Sequence, residues 1–208
     1  MDKAHIIWGF QWIIYCLIHS FLANNYIKET ASRHLKLGIK GYRILYNCLA
    51  FVYLSVLVWF HSKFGSPLLF SPGDVSDAFA ILLGSAGLLI MLICVFKYFR
   101  QLSGLSSDRD TARLFTGGLH RFVRHPLYLG TFLFLAGLFL NWPFLKNGIV
   151  TFIVIIYTFI GIILEEKKLL KQFGTAYQHY QQKVPMIIPG LRPGGRKTNP
   201  GPGTLINR

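Results

Sequence analysis

Apolar residues gather in five runs, near 5–23, 43–60, 78–97, 127–140 and 144–164, with polar or Gly- and Pro-bearing segments between them. A straight bilayer crossing needs roughly 20 such residues. The pattern therefore predicts an all-α, polytopic membrane protein with five transmembrane helices. The fourth run is short, and only Asn141-Trp142-Pro143 separates it from the fifth. These two runs are expected to form a helical hairpin with a tight turn, its first arm starting deep or tilted. Beyond the fifth run the period changes. Leu169, Leu170, Phe173, Tyr177 and Tyr180 share one helical face, with Lys167, Lys171, Gln178 and Gln182 mostly elsewhere, which predicts a cytosolic amphipathic helix over 165–182. The loop 61–77 is rich in turn residues. After Pro189 the chain is too rich in Gly and Pro to pack, so one domain over 1–191 and a disordered tail over 192–208 are expected.

Composition agrees with the pattern. Hydrophobic residues make up 52% of the chain and charged residues only 14%, and the mean hydropathy is +0.43. Charge then gives a direction. Lys28, Arg33, Lys36, Lys40 and Arg43 lie between the first two runs, six basic residues from Lys97 to Arg124 lie between the third and fourth, and eight follow the fifth. Only Lys3, Lys63 and Lys146 fall on the other side, where Asp2, Asp74 and Asp77 balance them. Positive loops stay inside, so the N-terminus is expected outside and the C-terminus in the cytoplasm, in a bacterial inner membrane. The +14 net charge is spread over loops that flank spans, which points to anionic lipid headgroups rather than nucleic acid. The first apolar run is too long for a cleavable signal, and its basic residues follow it. Cys16, Cys48 and Cys94 are isolated within spans, show no metal-ligand spacing, and are expected to be buried small hydrophobes.

Chemistry has to be sought on the inner face. The polar segment before the fourth run ends in Thr116-Gly117-Gly118-Leu119-His120-Arg121-Phe122-Val123-Arg124-His125-Pro126. The glycine pair supplies positive φ or close backbone approach, and Pro126 suits the first turn of a helix. His125 would sit near the N-cap, where unpaired N–H groups favour a carboxylate, and Arg124 would add a bidentate donor. Headgroup anchoring before a span, with Tyr128 in an aromatic belt, explains the same residues. The fifth run adds Glu165 and Glu166, carboxylates that gain nothing from an anionic leaflet. Glu166 lies three and seven residues before Leu169 and Phe173, so it points along the packed face and is the better ligand candidate. Glu165 is placed to pair with Lys168 at the surface.

Taken together, Gly118-Leu119-His120-Arg121-Phe122-Val123-Arg124-His125-Pro126-Leu127-Tyr128-Leu129-Gly130, Glu165-Glu166-x-x-Leu169-x-x-x-Phe173-Gly174-x-x-Tyr177-x-x-Tyr180 and Val184-Pro185-x-x-Ile188-Pro189 resemble the integral-membrane methyltransferases. That superfamily includes isoprenylcysteine carboxyl, phospholipid N- and methanethiol S-methyltransferases. The resemblance covers about 110–190. It implies S-adenosylmethionine as methyl donor, held at the cytosolic face by Arg124, His125, Pro126 and Tyr128, by the backbone of Leu119 and His120, and by Glu165 and Glu166. The family's usual Tyr two residues after the glycine is His120 here, which puts one cofactor contact in doubt. Arg124 and His125 are the catalytic candidates. His125 would serve as a base only for an acceptor that must shed a proton, and a cofactor-holding role suits it as well.

The N-terminal half bears on the acceptor. His19-Ser20 closes the first span on the inner side, and Tyr42-Arg43-x-x-Tyr46-Asn47 opens the second. These resemble the N-terminal pattern of NnrU-like and methanethiol-methyltransferase-like relatives, which makes His19, Arg43 and Tyr46 substrate-side candidates. Interfacial anchoring is the plainer role for each. Asn47 is expected to bond another helix, and Gly84 and Gly87 to allow close packing. The methyl acceptor, hydrophobic or small, stays open among carboxylate, thiol and amine, and so does the oligomeric state. A non-catalytic NnrU-like protein on the same scaffold is the main alternative. An NADPH-dependent membrane reductase is a weaker one, since those enzymes carry more spans.

Overall fold

The computed structural model describes residues 2–102 and 114–191, apart from the side chains of 98–102. The tail expected to be disordered and residues 103–113 of the polar stretch between the third and fourth apolar runs lie outside the described residues. The described residues form seven α-helices in chain order: α1 Lys3–Ala23, α2 Asn25–His34, α3 Gly38–Lys63, α4 Asp74–Leu102, α5 Pro126–Asn141, α6 Leu145–Phe173 and α7 Thr175–Lys183, with a short 3-10 turn Gly118–Arg121 before α5. The described residues hold no strand, only an isolated bridge between Leu68 and Phe144.

Four helices, α1, α3, α4 and α6, are long and apolar enough to cross a membrane. Helices of that length and hydropathy make this a multi-pass membrane protein. The short fourth apolar run becomes α5, whose 16 residues reach about 24 Å at 1.5 Å per residue. Large side chains such as Ile7, Phe10, Leu17, Phe51 and Trp59 are exposed on these helices. Hydrocarbon is the solvent that makes such faces tolerable.

Small residues set the closest packing. α4 and α5 run antiparallel with Gly84 against Gly137 and Gly87 against Gly130. A methyl group on Gly87 would stand 2.6 Å from the Gly130 carbonyl oxygen and overlap the Phe134 backbone. Gly84 and Gly87 thus do what their place in an apolar run suggested, letting two backbones touch. On the other side, α1 lies along α6, with Gly9 facing Ile149 and Ser20 bonded to Tyr157 at 2.9 Å.

The end of the bundle that holds Trp8, His61 and Asn147 is tied by polar groups. The Trp8 indole donates to His61 Nδ1 at 3.2 Å, and His61 Nε2 meets Asn147 Oδ1 at 2.7 Å. Lys146, read from sequence only as an outer charge, donates to the carbonyls of His61 and Phe64 and so caps the end of α3.

Three expectations need correction. The amphipathic stretch 165–182 is two helices, because α6 runs on to Phe173 and the chain breaks at Gly174, whose φ of +53° is a left-handed conformation. Cys48 is exposed on α3, unlike the buried Cys16 and Cys94. The segment between the first two spans contains α2, started by the Asn24 side chain accepting from the Tyr26 amide at 2.9 Å.

Candidate functional site

Pro126 occupies the first turn of α5 and His125 its N-cap, as the Arg-His-Pro order suggests. The residues just before are not left to wander. The Arg124 amide donates to the Pro185 carbonyl at 2.8 Å and the His125 amide to the Met186 carbonyl at 3.1 Å. The Val184-Pro185 segment after α7 therefore runs alongside the Arg124-His125 segment and fixes it. Gly118 takes positive φ, 63°, at the start of the 3-10 turn. The Tyr180 hydroxyl then closes onto the His120 carbonyl at 2.7 Å.

Glu166 is the hub. Its carboxylate accepts from Arg124 Nε at 2.9 Å and Nη2 at 3.1 Å, from the Tyr177 hydroxyl at 2.6 Å and from the Gln181 amide, and His125 Nε2 lies 2.8 Å away. The remaining guanidinium nitrogen, Nη1, donates to the carbonyls of Gln181 and Val184 at 3.1 and 2.8 Å. The bidentate fork expected to meet a ligand carboxylate is thus filled by Glu166. Four separate pieces of chain meet here: the α5 N-terminus, the C-terminal part of α6, α7, and the extended exit after it.

Inward facing was read correctly for Glu166, but inward means protein. Its side chain is 13% exposed, whereas Glu165 is 43% exposed. Glu165 stands 3.7 Å from His125 Nδ1 and acts electrostatically on the Tyr128 hydroxyl. The imidazole of His125, buried itself, is therefore held between two carboxylates, and its ring lies 5.6 Å from that of Tyr128. Of the acidic pair, Glu165 keeps accessible oxygen.

Electrostatics around the hub follow burial. Burial, and then the bond to Glu166, pushes the Tyr177 phenol well above its ordinary range. It therefore stays a donor. His120 is pushed down to about 4, first by burial and then by His125 and Lys97. It is neutral at physiological pH and offers an aromatic ring where the related motif has a Tyr. The carbonyl of Leu119 accepts from the amides of Phe122 and Val123, so the backbone oxygens of both Leu119 and His120 are engaged internally.

Of the residues expected to bear on the acceptor, His19 and Tyr46 come together, with ring centroids 6.4 Å apart. Tyr15 stacks on the other side of His19 at 6.1 Å. Arg43 sits one turn before Tyr46 on α3, near enough to Lys28 to repel it. Sequence reading passed over Gln181, the carbonyls of 181–186, and Tyr157. A lone phenol in an apolar run was the one available signal for Tyr157.

With that geometry in hand, likeness to other proteins can be placed on it. Residues 79–176 match the phospholipid methyltransferase family, just under half of the chain. Methanethiol S-methyltransferase 1 of Bradyrhizobium diazoefficiens is 42% identical over 90 residues, which cover 42% of this chain and 30% of that protein. Methanethiol S-methyltransferase of Pseudomonas deceptionensis is 34% identical over 125 residues, 55% of this chain and 44% of the relative. Protein-S-isoprenylcysteine O-methyltransferase of Schizosaccharomyces pombe is 36% identical over 80 residues, 36% of this chain and 33% of the relative. The matched part of the chain spans less than half the length of each of these curated relatives. No solved structure matches the chain. The kinship with integral-membrane methyltransferases expected from the Arg124 and Glu165 motifs is borne out.

Proposed function

Taking that kinship as premise, we propose that this chain uses S-adenosylmethionine to methylate a lipophilic or small membrane-permeant acceptor at the cytosolic membrane face. α5 counts as a fifth, short span in this reading, which puts the N-terminus outside and the C-terminus with the site inside.

One observation carries the proposal: an accessible carboxylate, Glu165, stands beside Tyr128 and the α5 N-terminus on a frame that Glu166 locks. The residues fit the donor molecule. Glu165 can accept from ribose hydroxyls, the α5 N-terminus suits the methionine carboxylate, and the rings of Tyr128 and His120 give aromatic walls. When bound, the donor supplies an electrophilic methyl carbon on a sulfonium. Arg124 and His125 hold the frame through Glu166, and His125 also orients Glu165. Much of the rate in an in-line displacement comes from such fixed positions. Every described nitrogen of Arg124 is already engaged in the frame, so positioning suits it better than direct contact with the acceptor.

Calorimetric titration of the detergent-solubilised protein with S-adenosylhomocysteine, and separately with NADPH, tests the reading. Binding of the former alone is expected. Binding of NADPH alone, or of neither by well-folded protein, overturns it.

A further inference from the structure

Outside the donor site, cations from three helices meet at one place. α1 and α6 run parallel, with Gly9 against Ile149 and Ser20 bonded to Tyr157 at 2.9 Å. α1 stops at Ala23, but α6 runs on from Tyr157 to Phe173, about 24 Å at 1.5 Å per residue. α2 lies beside that projecting end. Asn24 caps it by accepting from the Tyr26 amide, and it packs on both α1 and α3. The hydroxyl of the buried Tyr42 ties the start of α3 to the Leu22 carbonyl at 3.1 Å. This frame brings Arg43 of α3 and Lys168 of α6 within electrostatic reach of Lys28 on α2.

Like charges gathered from separate elements repel unless an anion joins them. Lys28 and Arg43 are both half-buried, so solvent screens them incompletely. The Lys28 ammonium is held below the usual lysine range, first by burial and then by Arg43 and Lys168. The carboxylate of Glu29 offsets this, but by less than either cation adds. Repulsion therefore wins at this spot. The bond from Lys28 to Asn25 Oδ1, 3.0 Å, goes to a neutral group. Residues 24–47 carry five Lys and Arg but a single acid, Glu29, so the segment offers little compensation of its own. What fits is an external anion whose oxygens can meet cations from three directions. A phosphate does this, and guanidinium with ammonium suits it well. The cluster lies where α1 ends and α3 begins, both helices long and apolar enough to cross a membrane. The phosphate at hand there belongs to a lipid headgroup.

We propose that Lys28, Arg43 and Lys168 form a discrete site for the phosphate of an anionic phospholipid, which clamps α2 to the projecting end of α6. General attraction of basic loops to an anionic leaflet is shared among all the lysines of a face. This site depends on three residues from three helices. A phosphatidylglycerol headgroup brings one negative charge and no cation, whereas a choline headgroup brings its own ammonium into the cluster. Inorganic phosphate shares the oxygens but lacks the acyl chains that hold a lipid level with the ends of α1 and α3. Lys168 is three residues past Glu165 on the same helix, so the lipid would stand beside the proposed donor site without using its residues. Binding here does not depend on methyl transfer.

The test is melting of the full chain in a neutral detergent, titrated with phosphatidylglycerol, phosphatidylcholine or inorganic phosphate. Phosphatidylglycerol at roughly ten times its half-saturating concentration should raise the melting temperature by about 3–6 °C, and the other two by about 1 °C or less. Lys28→Gln and Lys168→Gln should each raise the half-saturating concentration about fivefold, the scale of one lysine at an anionic surface. Without lipid, Lys28→Gln should melt no lower than wild type, because it removes a repelled cation. Lys183→Gln, on α7 and outside the cluster, should change saturation by less than about twofold. Equal weakening by Lys183→Gln would overturn the site in favour of general headgroup attraction. An equal shift from inorganic phosphate would overturn the lipid as ligand. No shift from phosphatidylglycerol in well-folded protein overturns both. So does a Lys28→Gln protein that melts well below wild type in detergent alone, since Lys28 would then hold the fold without an anion.

Discussion

Removing the Glu166 carboxylate should loosen the whole end of the protein where α5, α6 and α7 meet. In Glu166→Ala the Arg124 guanidinium, 9% exposed, loses both bonds to its carboxylate partner. Breaking a buried ion pair from one side costs about 3–5 kcal/mol. Arg124 keeps its two carbonyl acceptors and the site opens at the membrane face, so the lower end of that range applies. The Tyr177 hydroxyl, on a residue 1% exposed, also loses its acceptor, adding about 1 kcal/mol. These losses share one network and will not add fully. A total of about 3–4 kcal/mol corresponds to a melting point lower by roughly 10 °C for a chain of this size. Melting followed by intrinsic fluorescence in a single detergent measures it. Glu165→Gln is the control: Glu165 is 43% exposed, its 3.7 Å contact to His125 is long, and a glutamine keeps an acceptor for the Tyr128 hydroxyl, so its replacement should stay within about 0.5 kcal/mol. For ligand binding the ranking changes. Glu165→Gln should weaken S-adenosylhomocysteine binding with an unchanged melt, while Glu166→Gln should lower both together. A Glu166→Ala protein that melts within about 2 °C of wild type, or a Glu165→Gln protein that loses as much, would refute the hub.

Three further outcomes follow from other parts of the structure. Gly87→Ala must push α5 off α4, because its methyl group would stand 2.6 Å from the Gly130 carbonyl; a loss of about 1–3 kcal/mol is expected, against little change for Gly161→Ala, which meets nothing within 4 Å. His120 has a folded pKa pushed down to about 4, so from pH 6.5 downward the unfolded chain takes the proton first, and stability should fall as pH drops from 6.5 toward 4; His120→Gln should flatten that slope in pH-dependent melts. For topology, a cysteine placed at Lys63 should react with a membrane-impermeant maleimide from outside intact cells, and one at Lys183 only after the membrane is opened.

Much of this fold could be read from the chain because long apolar runs leave few options in lipid. Helix ends at Ala23, Lys63 and Asn141 fall within a few residues of where polarity returns. The break at Gly174 escaped because the hydrophobic period continues through it, and periodicity is blind to the sign of φ. α2 escaped because it is short and polar, although Asn24 ahead of it is a good helix-starting residue. The acidic pair teaches a different lesson. Spacing showed that Glu166 points inward, yet it could not show that Arg124, His125, Tyr177 and Gln181 would all be waiting there. Those partners lie on two other stretches of chain, and no local pattern connects them. The same limit hid Tyr157, whose meaning comes from Ser20 on a helix more than a hundred residues away.

Transfer of label from S-adenosylmethionine carrying a tritiated methyl group is the most direct test of the central claim. The purified protein in nanodiscs would be offered ethanethiol, farnesylcysteine and phosphatidylethanolamine in turn. Protein-dependent labelling of at least one acceptor is expected, and its loss in Glu165→Gln. Folded protein that labels none of the three, while binding S-adenosylhomocysteine no better than NADPH, would contradict it.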